Sequence, residues 1–192
     1  MSCNKKITND ILFDCTATGV SGIDNGTAVL INVTDIDLAA TTVSGATISD
    51  LVLNAGSTGY KLEWYKQLAS ATSTFAPDAE AVDGFQHAFI GRMTAPTAES
   101  AERANELKNG RFIVVIETSF KGAGNADAFK VYGYETGLEL SELTNSTAEN
   151  AANLLFTLST REGSYEQYPY AVFSETDYAT SKAAFETLFA VA

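Results

Sequence analysis

Arg111-Phe112-Ile113-Val114-Val115-Ile116-Glu117-Thr118 is the stretch that decides the fold. Its unbroken apolar centre, Phe112 to Ile116, suits a central strand covered on both faces. A strand buried twice over needs a layer on each side, so the flanking sequence must supply them. On the N-terminal side, Thr97 to Asn109 reads as a helix. It follows Pro96, has Glu99 and Glu102 early and Lys108 late, and stops at Gly110, so caps and dipole agree. Its inward stripe of Ala98, Ala101, Ala104 and Leu107 is narrow, which predicts a helix lying close on a sheet or on a neighbouring subunit. On the C-terminal side, Gly122-Ala123-Gly124-Asn125 and Glu135-Thr136-Gly137 read as two tight reversals inside a sheet.

Further out the period is that of half-buried strands. Tyr60, Leu62 and Trp64 alternate with Lys61, Glu63 and Tyr65, and Leu154, Phe156 and Leu158 alternate with Leu155, Thr157 and Ser159. Ala28 to Val33, Ile48 to Leu53, Phe85 to Met93 and Phe129 to Tyr134 read the same way with less contrast. A last helix runs from about Asp177 to Phe189. The pattern Ser174-x-x-Asp177 opens it, and Tyr178, Phe185, Leu188 and Phe189 lie on one side. Residues 66–83 hold only Leu68, Phe75 and Val82 as large apolar groups, and a loop of that length inside a compact domain usually has a job. They are a candidate intersubunit hairpin or arm, and residues 1–26 a candidate N-terminal arm. No repeat or domain-scale linker interrupts the 192 residues, so the reading is one domain over residues 1–192, mainly β with two helices.

Composition narrows the function. Acidic residues number 24 against 12 basic ones, a net charge of −12, so the average surface repels phosphate backbones and anionic lipid heads. That disfavours a clamp on nucleic acid but not a conduit past which DNA slides. No run approaches the roughly 20 apolar residues that span a bilayer, and Met1 to Lys6 leads into no apolar signal core, so no membrane is expected. Cys3 and Cys15 offer neither a zinc set nor a disulfide framework, and read as reduced small residues of the arm. The Asn-x-Thr triplets at Asn25, Asn32 and Asn145 are chance matches without secretion.

Catalytic chemistry finds little to stand on. A hydrolytic triad needs a base near neutral pKa, and the one histidine, His87, sits inside a strand pattern as a bystander. Asp35-x-Asp37 lacks the Gly and distal Glu of a calcium loop and reads as turn or cap duty. Carboxylate pairs such as Glu139 with Glu142 or Asp78 with Glu80 are uninformative among 24 acids. Gly122-Ala123-Gly124-Asn125 lacks the Lys-Ser/Thr ending of a phosphate loop. Tyr165, Tyr168, Tyr170 and Phe173 have no interleaved bases beyond Arg161, which favours core or interface packing over base stacking. The expectation is a protein that is not an enzyme, with no catalytic, cofactor or metal residues.

In order, the chain runs through an arm, strands, a long loop, more strands, a small-faced helix before a central strand, a hairpin and a terminal helix. With Thr47-Ile48-Ser49-Asp50-Leu51-Val52-Leu53, Gly59-Tyr60-Lys61-Leu62-Glu63-Trp64, Gly84-Phe85-Gln86-His87-Ala88-Phe89, Phe129-Lys130-Val131-Tyr132-Gly133-Tyr134-Glu135 and Thr176-Asp177-Tyr178-Ala179-Thr180, this order resembles bacteriophage tail tube proteins. The likeness is nearest to those of Bacteroidetes phages and prophages, with relatives in contractile injection systems, and covers most of the chain from about Ala28. It implies a β-sandwich or half-barrel subunit in stacked rings, commonly of six copies, whose inner strands join into one barrel with an acidic lumen. The long loop and N-terminal region would bridge to the next ring. The partners implied are copies of the same chain, other tail proteins, and DNA as transient non-specific cargo, in a virion tail assembled in the host cytoplasm. The alternatives are another self-associating virion part (head decoration, tail terminator or completion ring) and a β-sandwich carbohydrate-binding module.

Overall fold

The computed structural model describes residues 7–11, 22–65, 68–78, 82–149 and 152–189. The central strand is where the sequence puts it. Strand β7 (Phe112–Thr118) is buried from Phe112 to Glu117, with β1 (Ile23–Asn32) antiparallel on one edge and β8 (Phe129–Tyr132) on the other. The β1 edge continues into β4 (Tyr60–Glu63). Beyond β8 lie β11 (Ala171–Phe173), β3 (Thr47–Asp50) and β2 (Thr42–Ser44), with β11 and β3 parallel.

A second limb leaves the same strand. Leu138 at the start of β9 (Leu138–Asn145) pairs with Phe112 of β7, and β9 then leads to β10 (Leu154–Thr160), β6 (Gly84–Met93) and β5 (Ser70–Ala76). The result is one large mixed sheet that is not closed, folded over at β7 so that the second limb covers the first. Residues on β6 mark the crossing. His87 meets Tyr132 of β8, Phe89 meets Trp64 just past β4, and Gly91 faces Leu62 of β4. The limbs therefore cross rather than run alongside one another.

Because β7 lies between two layers, its alternate residues enter two cores. Ile113 and Val115 join Val29, Ile31, Phe129 and Phe173 beneath the helix α2 (Tyr178–Thr187), while Phe112, Val114 and Ile116 join Phe89, Phe156, Leu158 and Trp64 between the limbs. In the first core Phe129 is the hub, with the rings of Phe185, Tyr178 and Phe173 at 5.1, 6.0 and 6.2 Å. The other helix, α1 (Ala98–Glu106), is capped at Thr97, whose hydroxyl accepts from the Ser100 N–H. Of its predicted inward stripe, Ala104 and Leu107 are buried while Ala98 and Ala101 are exposed.

Four expectations change. The cap of α2 is Asp177, which accepts from the Thr180 N–H at 2.8 Å, not Ser174. Segment 66–83 is not a structureless loop, since Ser70–Ala76 pairs with β6 along its whole length. Polar Ser and Thr hid that strand. Residues 23–26, the end of the candidate N-terminal arm, belong to β1, which begins at Ile23; Cys3, Cys15 and most of residues 1–22 lie outside the described residues. Finally, residues 135–137 do not reverse the chain. Val114 faces Tyr132 while Phe112 faces Leu138, so β8 and β9 follow the same edge of β7 and residues 133–137 are an excursion between them. Gly133 starts it at φ 76°, where a Cβ would also press on Leu138. At this corner the chain passes from one limb to the other. The Gly122–Asn125 turn, by contrast, does join adjacent antiparallel strands, β7 and β8.

Candidate functional site

The second limb is the part of the molecule left open. Its strands β9, β10, β6 and β5 are antiparallel throughout, and both outer edges lack a strand partner over most of their length among the described residues. On one side β5 is the last strand. On the other, β9 is bonded to β10 along its length but touches β7 only at Leu138.

Register assigns the two faces of this limb. The row Ala71, Phe89, Leu158, Leu140 points into the inter-limb core. The adjacent rows, Thr72-Ala88-Ser159-Glu139 and Ser70-Ile90-Thr157-Glu142, point away from it. The outward face is therefore small, hydroxyl-rich and lightly charged. It forms a shallow concavity of about 480 Å³, bordered by Thr72, Thr74, Gln86, Ser159, Arg161 and Glu162.

The corner at 133–137 fixes the limb on the rest of the molecule, and two residues hold it. Glu166 is 3% exposed and accepts from the N–H groups of Glu135 (3.0 Å) and Thr136 (2.9 Å) and from the Thr136 hydroxyl (2.8 Å). Its own backbone exchanges hydrogen bonds with Phe85 at the start of β6. His87, 2% exposed, accepts the Gly133 N–H at Nδ1 (3.1 Å), so its Nε2–H donates to the Tyr168 carbonyl (2.9 Å). Burial lowers its pKa against the opposing pull of Glu166, so the ring is neutral in the fold. The histidine is a structural pin between β6 and the corner.

A second polar network locks α2. Glu117, at the end of β7 and 2% exposed, is met by Lys121 at 2.5 Å, Lys182 at 3.2 Å and the Tyr178 hydroxyl; Lys121 also reaches Asp24 at 2.8 Å. Burial raises the carboxyl's pKa, but the three hydrogen bonds together outweigh it and hold the group at about 2. Lys121 is displaced upward: burial opposes this, and its bonds to Asp24, Glu117 and Tyr178 win. Tyr178 is expected from sequence only as part of the apolar side of the last helix, and Glu117, Lys121 and Lys182 are not singled out there. The only local signal is the four-residue step from Glu117 to Lys121, since Tyr178 and Lys182 arrive from far along the chain.

The residues weighed for chemistry are dispersed. Asp37 accepts from the N–H groups of Ala39 and Ala40 and Asp35 from the Asn32 amide, which is turn duty. Glu139 and Glu142 lie on the outward face of β9. The Asp78 N–H donates to Asp83 in the β5–β6 connection, while Glu80 lies outside the described residues. Phe173 is in the core, Tyr170 lies under the Lys130 ammonium at 4.5 Å, Tyr165 packs by Gly84, and Tyr168 serves through its carbonyl. Among the described residues no group of three or more His, Cys, Asp and Glu is placed to hold a metal ion. No helix among them is long and apolar enough to cross a membrane.

No protein-family model matches the chain, and neither the curated proteins nor the solved structures give a match to it.

Proposed function

We propose that the chain is a structural subunit that assembles with copies of itself into rings, stacked as the tail tube of a bacteriophage virion. The observation that carries the reading is the second limb: four antiparallel strands with an edge on each side that is open over most of its length among the described residues, and a hydroxyl-rich outer face. Strand direction alternates β5, β6, β10, β9, so the β5 of a following copy lies antiparallel to this copy's β9. An even number of strands lets such a sheet continue from copy to copy without a mismatch. The contact is head-to-tail, and repeated around an axis it closes into a barrel that removes both open edges.

The outer face would then line the bore. Thr72, Thr74, Gln86, Thr157 and Ser159 carry water rather than charge, and Glu139 and Glu142 add negative potential. Arg161 stands at the rim beside Glu162. Such a surface gives passing DNA no run of cations to hold it. Six copies per ring is the number implied by the family resemblance.

Negative-stain electron microscopy of the purified chain at high concentration tests the proposal. Rings or tubes with a central hole are the expected outcome. A monodisperse monomer in sedimentation at every concentration and salt, including after addition of preformed tail initiator complexes, would overturn it.

A further inference from the structure

We infer that His87 is a pH-operated latch: protonating its ring releases the corner at residues 133–137 and loosens the second limb from the first. The latch is a property of one chain, and only its effect on assembly rests on the ring reading above.

The corner is held by groups that titrate. The N–H groups of Gly133, Glu135 and Thr136 are accepted by side chains, the first by Nδ1 of His87 and the other two by the carboxylate of Glu166. Glu135 in turn accepts the Gln167 N–H at 2.7 Å. A carboxylate stays an acceptor well into acid, whereas an imidazole exchanges its one acceptor for a donor near its ordinary pKa of about 6.5. His87 is therefore the first of these groups to change. Once protonated, its Nδ1–H faces the Gly133 N–H, donor against donor, at a place where both residues are buried.

The ring has little room to turn away. The His87 N–H is accepted by the Thr160 hydroxyl of β10 at 2.8 Å, the Tyr132 ring packs against the imidazole at 5.3 Å, and Nε2–H is committed to the Tyr168 carbonyl. The corner is the part that yields. It joins β7 through the single pair Phe112 and Leu138, and Gly133 and Gly137, at φ 76° and 78°, stand at its two ends.

Charges around the ring set the direction. Glu166 and Glu135 face it from the corner side, Tyr168 from the segment after Glu166, and Tyr132 and Tyr134 from β8 and its continuation. Glu139, Arg161 and Glu162 border the outward concavity across β6. Burial disfavours the imidazolium and outweighs the pull of Glu166 and Glu135. Opening the corner removes that burial, so acid favours the open form, by about tenfold at one pH unit below the free histidine's value. The corner decides where β9 leaves β7, and β9 is an outer strand of the limb. In a ring, acid would withdraw an assembly edge while both cores stay closed.

Hydrogen exchange of the full-length monomer, followed by NMR at pH 7.5 and 5.5 and corrected for the intrinsic pH dependence of exchange, tests the latch. Protection of the Gly133, Glu135 and Thr136 amides should fall about tenfold at the lower pH, while that of Val114 and Val115 in β7 holds, and at pH 7.5 the imidazole should be the Nε2–H tautomer. His87→Asn keeps an acceptor near the Nδ1 position that does not titrate, and should abolish the pH effect. Corner protection in the wild type that ignores pH, an Nδ1–H tautomer, an equal loss in β7, or the same loss in His87→Asn overturns the latch. Rings that come apart at pH 5.5 in the wild type but not in His87→Asn carry the latch into assembly. Corner amides that respond in a chain that never self-associates support the latch and remove the ring reading.

Discussion

Replacing Glu117 by Gln isolates the network that ties α2 to the central strand. The carboxylate accepts from Lys121, Lys182 and Tyr178 while almost fully buried. Gln keeps one carbonyl acceptor, but turns an amide donor toward an ammonium and removes the charge that both lysines face. The pKa displacement from 4.5 to about 2 corresponds to about 3 kcal/mol at pH 7. That agrees with the 3–5 kcal/mol, to order of magnitude, for breaking a buried ion pair from one side.

The sign follows from proton uptake. Between pH 4.5 and 2 the unfolded chain binds a proton at this position and the folded chain does not. The wild-type advantage is therefore complete above about pH 5 and is lost as the pH falls toward 2, at a slope of roughly 1.4 kcal/mol per pH unit. Urea unfolding of both proteins at several pH values between 7 and 2.5 measures the difference, and comparing the two cancels the other carboxylates. A gap that is below 1 kcal/mol at pH 7, or that does not shrink on acidification, would refute the assignment of stability to this carboxylate.

Other outcomes follow from the same packing. His87→Gln should reduce the acid sensitivity of the fold. In the wild type Nδ1 must stay unprotonated to accept the Gly133 N–H, so stability falls as the pH drops below the unfolded histidine's value of 6.5; equal pH profiles from 7.5 to 5.5 would contradict this. Gly91→Ala puts a methyl group 2.5 Å from the Phe156 ring and 3.0 Å from Leu62, and should cost about 1–3 kcal/mol in urea unfolding. Phe89→Ala empties the centre of the inter-limb core and should cost about 3–5 kcal/mol, which lowers the thermal midpoint by roughly 6–20 °C. Assembly should weaken at low ionic strength, since subunits of net charge −12 repel one another less when screened; light scattering between 20 and 300 mM salt reads this directly, and a flat response would count against charge as a brake on stacking.

Local patterning determined the elements. The run from Phe112 to Ile116 marks the doubly buried strand because only a layer on each face can cover it, and the alternations through Trp64 and Phe156 mark strands with one wet side. The start of α1 was legible for the same local reason, since Thr97 acts on a backbone group three residues away; its end was not, because the helix stops at Glu106 with Leu107 as C-cap rather than running to Asn109. Strand β5 was not legible, since Ser70–Ala76 owes its place to pairing with β6 rather than to apolar residues of its own. Nor was the corner at 133–137, which looks like a reversal until Leu138 is seen to rejoin β7 beside Phe112.

Tertiary structure alone decided the candidate site. Alternation places Thr72, Ser159 and Glu139 on a face of some kind, but which face depends on register, and register is set by partners far along the chain. The edges of β5 and β9 that are open among the described residues are properties of where strands stop relative to one another. Glu117 gives the same lesson for charge: its sequence context is the end of an apolar strand, and only folding brings Tyr178 and Lys182 to a carboxylate that would otherwise be costly to bury.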